Sequence, residues 1–192
     1  VLDSQQAEGM VDSVVSSLGR IDILVNAVGG STIIPNSRAT VDDLTLEDWD
    51  NIIDFNLRGT FLCTNAVIKR MKQQGIGKII NLSSVAGHGA TDTSSAYATA
   101  KAGIMAFTKK VAVEAGPYGV TCNAIAPGMT LSDRILRGWE QRSEEEKRRS
   151  IEAIPLGRPA EPEDQAKVIA FLASSDADYV TGVTIDVNGG QY

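Results

Sequence analysis

One histidine, His88, and two cysteines, Cys63 and Cys122, are all that 192 residues provide as soft metal ligands. The cysteines stand far apart, without the paired spacing of a zinc or iron–sulfur centre, so no metal site is expected. Both lie in apolar segments and read as buried thiols of a reducing, cytoplasmic compartment rather than a disulfide framework. No apolar run approaches the roughly 20 residues that cross a membrane. The opening residues carry Asp3, Glu8 and Asp12 where a secretory leader would be apolar. Basic residues number 18 against 24 acidic ones, a net charge of −6 with no sustained Lys/Arg cluster, which excludes a nucleic-acid surface. The one basic run, Lys147-Arg148-Arg149, follows Glu144-Glu145-Glu146 and reads as a solvated helix with opposite-sign neighbours. Internal repeats and low-complexity segments are missing too. What is present is apolar: 43% hydrophobic residues over this length predict a single domain, residues 1–192, with a sizeable core.

The apolar residues fall into alternating helical and strand-like groups. Ala7, Met10, Val11, Val14, Val15 and Leu18 repeat at helical spacing, and Gly19 suits the end of that helix. Ile21-Asp22-Ile23-Leu24-Val25 is nearly continuous, the pattern of a parallel strand covered on both faces. A polar loop over residues 30–44 follows, and Thr45 caps a helix expected over residues 46–72, with Glu47 and Asp48 complementing its dipole. Further strands are expected at Lys78-Ile79-Ile80-Asn81-Leu82, at 120–126 and near 182–188. Helices are expected at 95–115, in the charged stretch 131–150, and after Pro162. Asn56, with Gly59 three residues on, is a poor residue for a helix interior, and such local conflicts are tolerated where function needs them.

The chain is organised around residues 81–101. A buried strand ends at Ser83-Ser84, Gly87 and Gly89 break the pattern, and a helix then carries Tyr97 and Lys101, four residues apart on one face. A hydroxyl at the strand end therefore faces a phenol and an ammonium. That set suits proton transfer at a carbinol oxygen: Tyr97 as donor or acceptor, Lys101 favouring its phenolate, Ser84 holding the substrate oxygen.

With Ser84 thirteen residues before Tyr97, the stretch resembles the short-chain dehydrogenase/reductase family, in its 3-oxoacyl-carrier-protein-reductase-like form. Four further motifs agree in order: Asn26-Ala27-Val28-Gly29, Asp54-Phe55-Asn56-Leu57-Arg58-Gly59, Pro127-Gly128, and the closing run to Asn188-Gly189-Gly190. The resemblance implies an α/β, Rossmann-like doubly wound parallel sheet, of which four strands are present. It implies hydride transfer between NAD or NADP and a small-molecule carbonyl/alcohol substrate. Asn56 would support a proton relay through a held water, and Lys101 would also hold the ribose hydroxyls, beside Tyr97. Asn26, Ala27 and Gly29 would flank the cofactor, with Ala27 where the family has a second Asn. Pro127, Gly128, Thr130 and Ser132 would hold the nicotinamide carboxamide, with Ser132 where Thr is usual. Residues 130–152 would form the substrate lid. A homodimer or homotetramer built on the helices at 46–72 and 95–115 is implied, with no nucleic-acid or membrane partner.

The family's first glycine-rich turn, Thr-Gly-x-x-x-Gly-x-Gly, does not occur among these residues. Val1-Leu2-Asp3 resembles residues just past a third strand, so roughly 60 residues of βαβ structure would lie upstream, and residues 1–192 alone would be inactive. Two other readings were weighed: a non-catalytic binding or scaffold protein of the same fold, and an extended-branch epimerase or dehydratase, which shares Tyr-x-x-x-Lys but carries a larger substrate domain. The choice between NAD and NADP, the substrate's identity and the role of His88 are left open at this point.

Overall fold

A computed structural model describes residues 2–89 and 91–191; Val1, part of the opening motif, lies outside them. The four apolar runs become β1 (Ile23–Asn26), β2 (Gly77–Leu82), β3 (Val120–Pro127) and β4 (Thr184–Val187). All pair in parallel, in chain order, within one sheet. Parallel neighbours need long crossovers, and helices supply them. These are α1 (Ser4–Leu18), α2 (Leu46–Ile53), α3 (Gly59–Gln74), α4 (Ser95–Ala115), α5 (Asp133–Glu140), α6 (Glu144–Glu152) and α7 (Pro162–Ala173).

Side chains alternate across the sheet, so successive residues feed different cores. Leu24, Ile79 and Cys122 lie opposite one another in the register and pack with Val11 of α1, Val67 and Met71 of α3 and Val111 of α4. Ile80 and Ile125 face the other way, onto Leu172 of α7. A smaller cluster of Ile34, Ile52, Ala96 and Ala100, with Trp49 and Tyr97 against it, fixes the first turns of α4.

The structure departs from the sequence expectations in three places. β1 starts two residues later than expected, because the Gln74 side chain takes both Ile21 backbone groups, donating to its carbonyl at 2.8 Å and accepting from its amide at 3.1 Å. Among the described residues Leu24 of β1 is buried, while Ile23 and Val25 are 47% and 39% exposed. The helix expected over 46–72 is interrupted by a π turn, Asp54–Arg58, between α2 and α3. Asn56 causes it locally. Its amide donates to the Ile52 carbonyl at 2.9 Å, and Gly59 N–H reaches back five residues to Asp54, the wider ring of a π-bulge. The charged stretch 131–150 is two helices rather than one. Ser143 starts the second with a capping box, its hydroxyl accepting from Glu146 N and the Glu146 carboxylate accepting from Ser143 N.

Two glycines test how tightly the strands begin. Gly75 ends α3 with φ +73°, and Gly119 precedes β3 with φ +74°. A Cβ on Gly75 meets open space, whereas one on Gly119 would lie 2.3 Å from the Gly75 carbonyl oxygen. Gly75→Ala should therefore lose only the left-handed backbone term, about 1–2 kcal/mol. Gly119→Ala must also push two strand leads apart and should lose at least twice as much in urea denaturation. Equal losses would show that the contact yields freely.

Candidate active site

The carboxyl ends of β1, β2 and β3 open on one side of the sheet, where an open parallel sheet binds its ligands. A cavity of about 390 Å³ lies there. The turn after β1 contributes Ala27, Gly29, Gly30 and Ser31; β2 contributes Leu82, Ser83 and Ser84; α4 contributes Tyr97 and Lys101. The far wall is Pro127, Gly128, Met129, Thr130 and Ser132 after β3, with Arg134 and Ile135 of α5 and Gln165 of α7.

Ser84 caps the short turn Val85–His88 by accepting from Ala86 N at 3.2 Å. α4 begins at Ser95, capped by Ser94. Two bonds join the strand end to that helix: Ser83 Oγ donates to the Lys101 carbonyl at 2.8 Å, and Lys101 Nζ donates to the Leu82 carbonyl at 2.9 Å. Lys101 Nζ also stands 5.6 Å from the Tyr97 ring centre. Burial raises the Tyr97 phenol above its ordinary value, against a hydrogen bond from Ser84 and the charge of Arg134, which lower it. Burial, and then the charge of Arg134, lower Lys101 to about 8.

Of the residues singled out in the sequence, nine line this cavity: Ser84, Tyr97, Lys101, Ala27, Gly29, Pro127, Gly128, Thr130 and Ser132. Asn26 and Asn56 stand one layer behind it. The Asn26 amide donates to Thr64 Oγ1 at 3.1 Å and Asn81 Oδ1 at 2.8 Å, within the sheet's core. Asn56, fully buried, clamps Gly30 from both sides, accepting from its amide at 2.9 Å and donating to its carbonyl at 3.1 Å. His88 is turned to β4, its Nε2 2.8 Å from Asp186 Oδ1, and does not line the cavity. Sequence reasoning missed Arg134 and Gln165. Gln165 carries no motif; only the fold of α7 against β4 brings its amide to Thr130 Oγ1 at 3.2 Å and the Val187 carbonyl at 3.0 Å.

The walls suit a nicotinamide group. Gln165 Oε1 is a buried acceptor with no hydrogen-bond partner among the described residues, beside the Thr130 hydroxyl, and a carboxamide N–H would complete it. Gly29 leaves no room for a side chain, since a Cβ there would lie 2.7 Å from Asn56 Oδ1 and 3.0 Å from Lys101 Nζ. Fold and site together define an α/β oxidoreductase of the nicotinamide-dependent kind.

Comparison with known proteins gives the family. Residues 1–191 match a family model described as Enoyl-(Acyl carrier protein) reductase. The 3-oxoacyl-(acyl-carrier-protein) reductase FabG of Staphylococcus aureus is 39% identical over 196 residues, spanning 100% of this chain and 74% of its own. A 3-oxoacyl-(acyl-carrier-protein) reductase of Synechocystis is 40% identical over 195 residues, spanning 99% of this chain and 72% of its own. The crystal structure of levodione reductase superposes with a TM-score of 0.88 at 35% identity, over 98% of this chain and 73% of that one. The chain belongs to the short-chain dehydrogenase/reductase family. It is an NAD(P)-dependent oxidoreductase acting on a carbonyl substrate.

Lys101 supplies a test of how this site weighs stability against chemistry. Its value of about 8 lies below the 10.5 of the free side chain, so holding its charge costs the fold on the order of 3 kcal/mol at neutral pH. The sign is that of a depressed base: the cost is fully present below pH 8 and fades as pH rises toward 10.5. Lys101→Met should therefore raise the melting temperature of the cofactor-free protein at pH 7 by roughly 2–6 °C, less at pH 10, while ending turnover. A lower melting temperature at pH 7 would mean that the ammonium stabilises its surroundings.

Proposed function

We propose that the enzyme reduces a carbonyl group with Tyr97 as proton donor, and that the same residue takes the proton back in alcohol oxidation. The convergence of the Ser84 hydroxyl, the Tyr97 phenol and the Lys101 ammonium on one cavity carries this reading. When bound, the nicotinamide cofactor supplies or accepts the hydride. Ser84 Oγ holds the substrate oxygen, and Tyr97 Oη delivers its proton to that oxygen as negative charge develops there. Left alone in a buried site, a phenolate would be costly, and the Lys101 charge offsets that cost. Lys101 also holds the ribose hydroxyls. Asn56 acts from behind by fixing the Gly29–Gly30 turn, and its place in the π turn supports a relay of protons toward Lys101. Ala27 and Gly29 flank the cofactor on one side, above Asn26. Pro127, Gly128, Thr130 and Ser132 hold its carboxamide end on the other.

Residues 130–152 act as a lid over the substrate, within a single domain. Two free, buried thiols and the absence of any described helix long and apolar enough to cross a membrane support a cytoplasmic setting. The decisive variant is Tyr97→Phe, which keeps the ring packing of α4. Turnover should fall by about 10²- to 10⁴-fold with an unchanged melting temperature. A rate within a few-fold of the parent would remove Tyr97 from the reaction.

The assembly proposed is a homodimer or homotetramer with two-fold contacts through α3 and α4. Phe61 on α3 and Val113 on α4 are 47% and 72% exposed, and Phe61 stacks edge-on against Phe107 of α4 with ring centres 6.3 Å apart. Exposed apolar side chains on these two helices are groups that an interface would cover. Light scattering at micromolar concentration should give a multiple of the protomer mass; a monomer mass would refute the assembly.

A further inference from the structure

Among the described residues the catalytic cavity is lined by two cations, Lys101 and Arg134, and by no aspartate or glutamate. This is unusual in a chain of net charge −6. Arg134 has no carboxylate partner among the described residues. Its one hydrogen bond among the described residues is from Nη1 to Thr32 Oγ1 at 3.1 Å, which leaves most of the five guanidinium donors unused. Other arginines of the chain do find carboxylates: in α6, Glu145 alone pairs with both Arg148 and Arg149. The guanidinium is also seated. It lies on Gly30, where a Cβ would come within 2.4 Å of Nη1, beside the Gly29 that faces Lys101 Nζ. Gly30 itself is held by Asn56 on both backbone groups, so the floor beneath Arg134 is rigid. Its charge is felt at both Tyr97 and Lys101, which puts it on the proton-donor side of the cavity.

We propose that Arg134 is a specificity-determining residue that binds an anionic oxygen group, carboxylate or phosphate, carried by the carbonyl substrate. The planar guanidinium fork offers such a group two parallel donors. Ser84 and Tyr97 hold the carbonyl oxygen while Arg134 holds the other end, so the ketone is presented in one orientation. The inference rests on the assignment of Ser84 and Tyr97 as the carbonyl end. The other anion that could reach Arg134 is the cofactor's own diphosphate, and the experiment separates the two.

Steady-state kinetics of the full-length protein are compared on matched pairs: short-chain 3-oxo acids against their methyl esters, and dihydroxyacetone phosphate against dihydroxyacetone. The parent enzyme should prefer the charged member. Arg134→Gln should lower kcat/KM on charged members by about 10- to 100-fold, mainly through KM, as for a lost hydrogen bond to a charged group. The uncharged members should lose several-fold less, and in kcat rather than KM, since they feel only the loss of the Arg134 charge beside Tyr97 and Lys101. The KM of the dinucleotide should change little, and Arg134→Lys should recover part of the loss. An equal loss on both members would make Arg134 a packing residue, held for its bond to Thr32, and would overturn the inference. A loss confined to the dinucleotide's KM would assign Arg134 to the diphosphate instead. A parent enzyme that reduces uncharged ketones but no charged one also overturns it, while leaving the reaction intact. The reaction itself fails separately, if Tyr97→Phe leaves turnover of the preferred carbonyl unchanged.

Discussion

A buried ammonium needs partners, and the way Lys101 obtains them shapes this enzyme. The side chain is 4% exposed, and its nitrogen is anchored to the Leu82 carbonyl where β2 ends. From the same strand end, Ser83 bonds the backbone of Lys101 itself. Strand and helix are thus stitched at two points within one helical turn of Tyr97. Ser84 follows directly on Ser83, so the hydroxyl, the phenol and the ammonium share a single rigid mounting. Sites built on such elements hold geometry better than sites on free loops.

Behind the mounting lies a second polar layer inside the sheet. Asn26 and Asn81, opposite each other on β1 and β2, share a hydrogen bond, and Asn81 goes on to Thr108 of α4 at 2.9 Å and the Cys122 sulfur at 3.6 Å. Thr64 of α3 closes the other end. Buried amides without partners would be strongly destabilising, whereas satisfied ones fix a unique arrangement. This row sets the slide of α3 and α4 against the strands, and so the height of Tyr97 above the cavity floor. Burial likewise makes the Cys122 thiol inert, pushing it up to about 12.

The long polar segments do different work at the rim. The π turn at Asp54–Arg58 costs helix regularity, yet it releases the Asn56 amide to hold both backbone groups of Gly30. The turn after β1 is thereby brought against Lys101 and Arg134. The charges of α6 are mostly spent among themselves, in ion pairs that are exposed and individually weak. Arg134 stands apart from them by facing inward over a glycine.

Local patterns in the sequence were sufficient for the strands, the helices and the chemical core of the site. Short β-branched runs between helical repeats can bury themselves only as parallel strands, and Tyr97 and Lys101 must share a face at four-residue spacing. Ser84, at a strand end, follows from the same reading. Other features needed the third dimension, because they depend on contacts between residues remote in the chain. The clamp that Asn56 places on Gly30 joins residues 26 apart in the chain. Arg134 and Gln165 read as ordinary members of a charged helix and an amphipathic one, and only packing aims them at the cavity. The sequence by itself determined which candidate groups, Ser84, Tyr97 and Lys101, come together, since that is a matter of residue type and local spacing. The tertiary structure decided their surroundings, because burial and the approach of Arg134 depend on how remote segments pack, and with them the lowered pKa of Lys101.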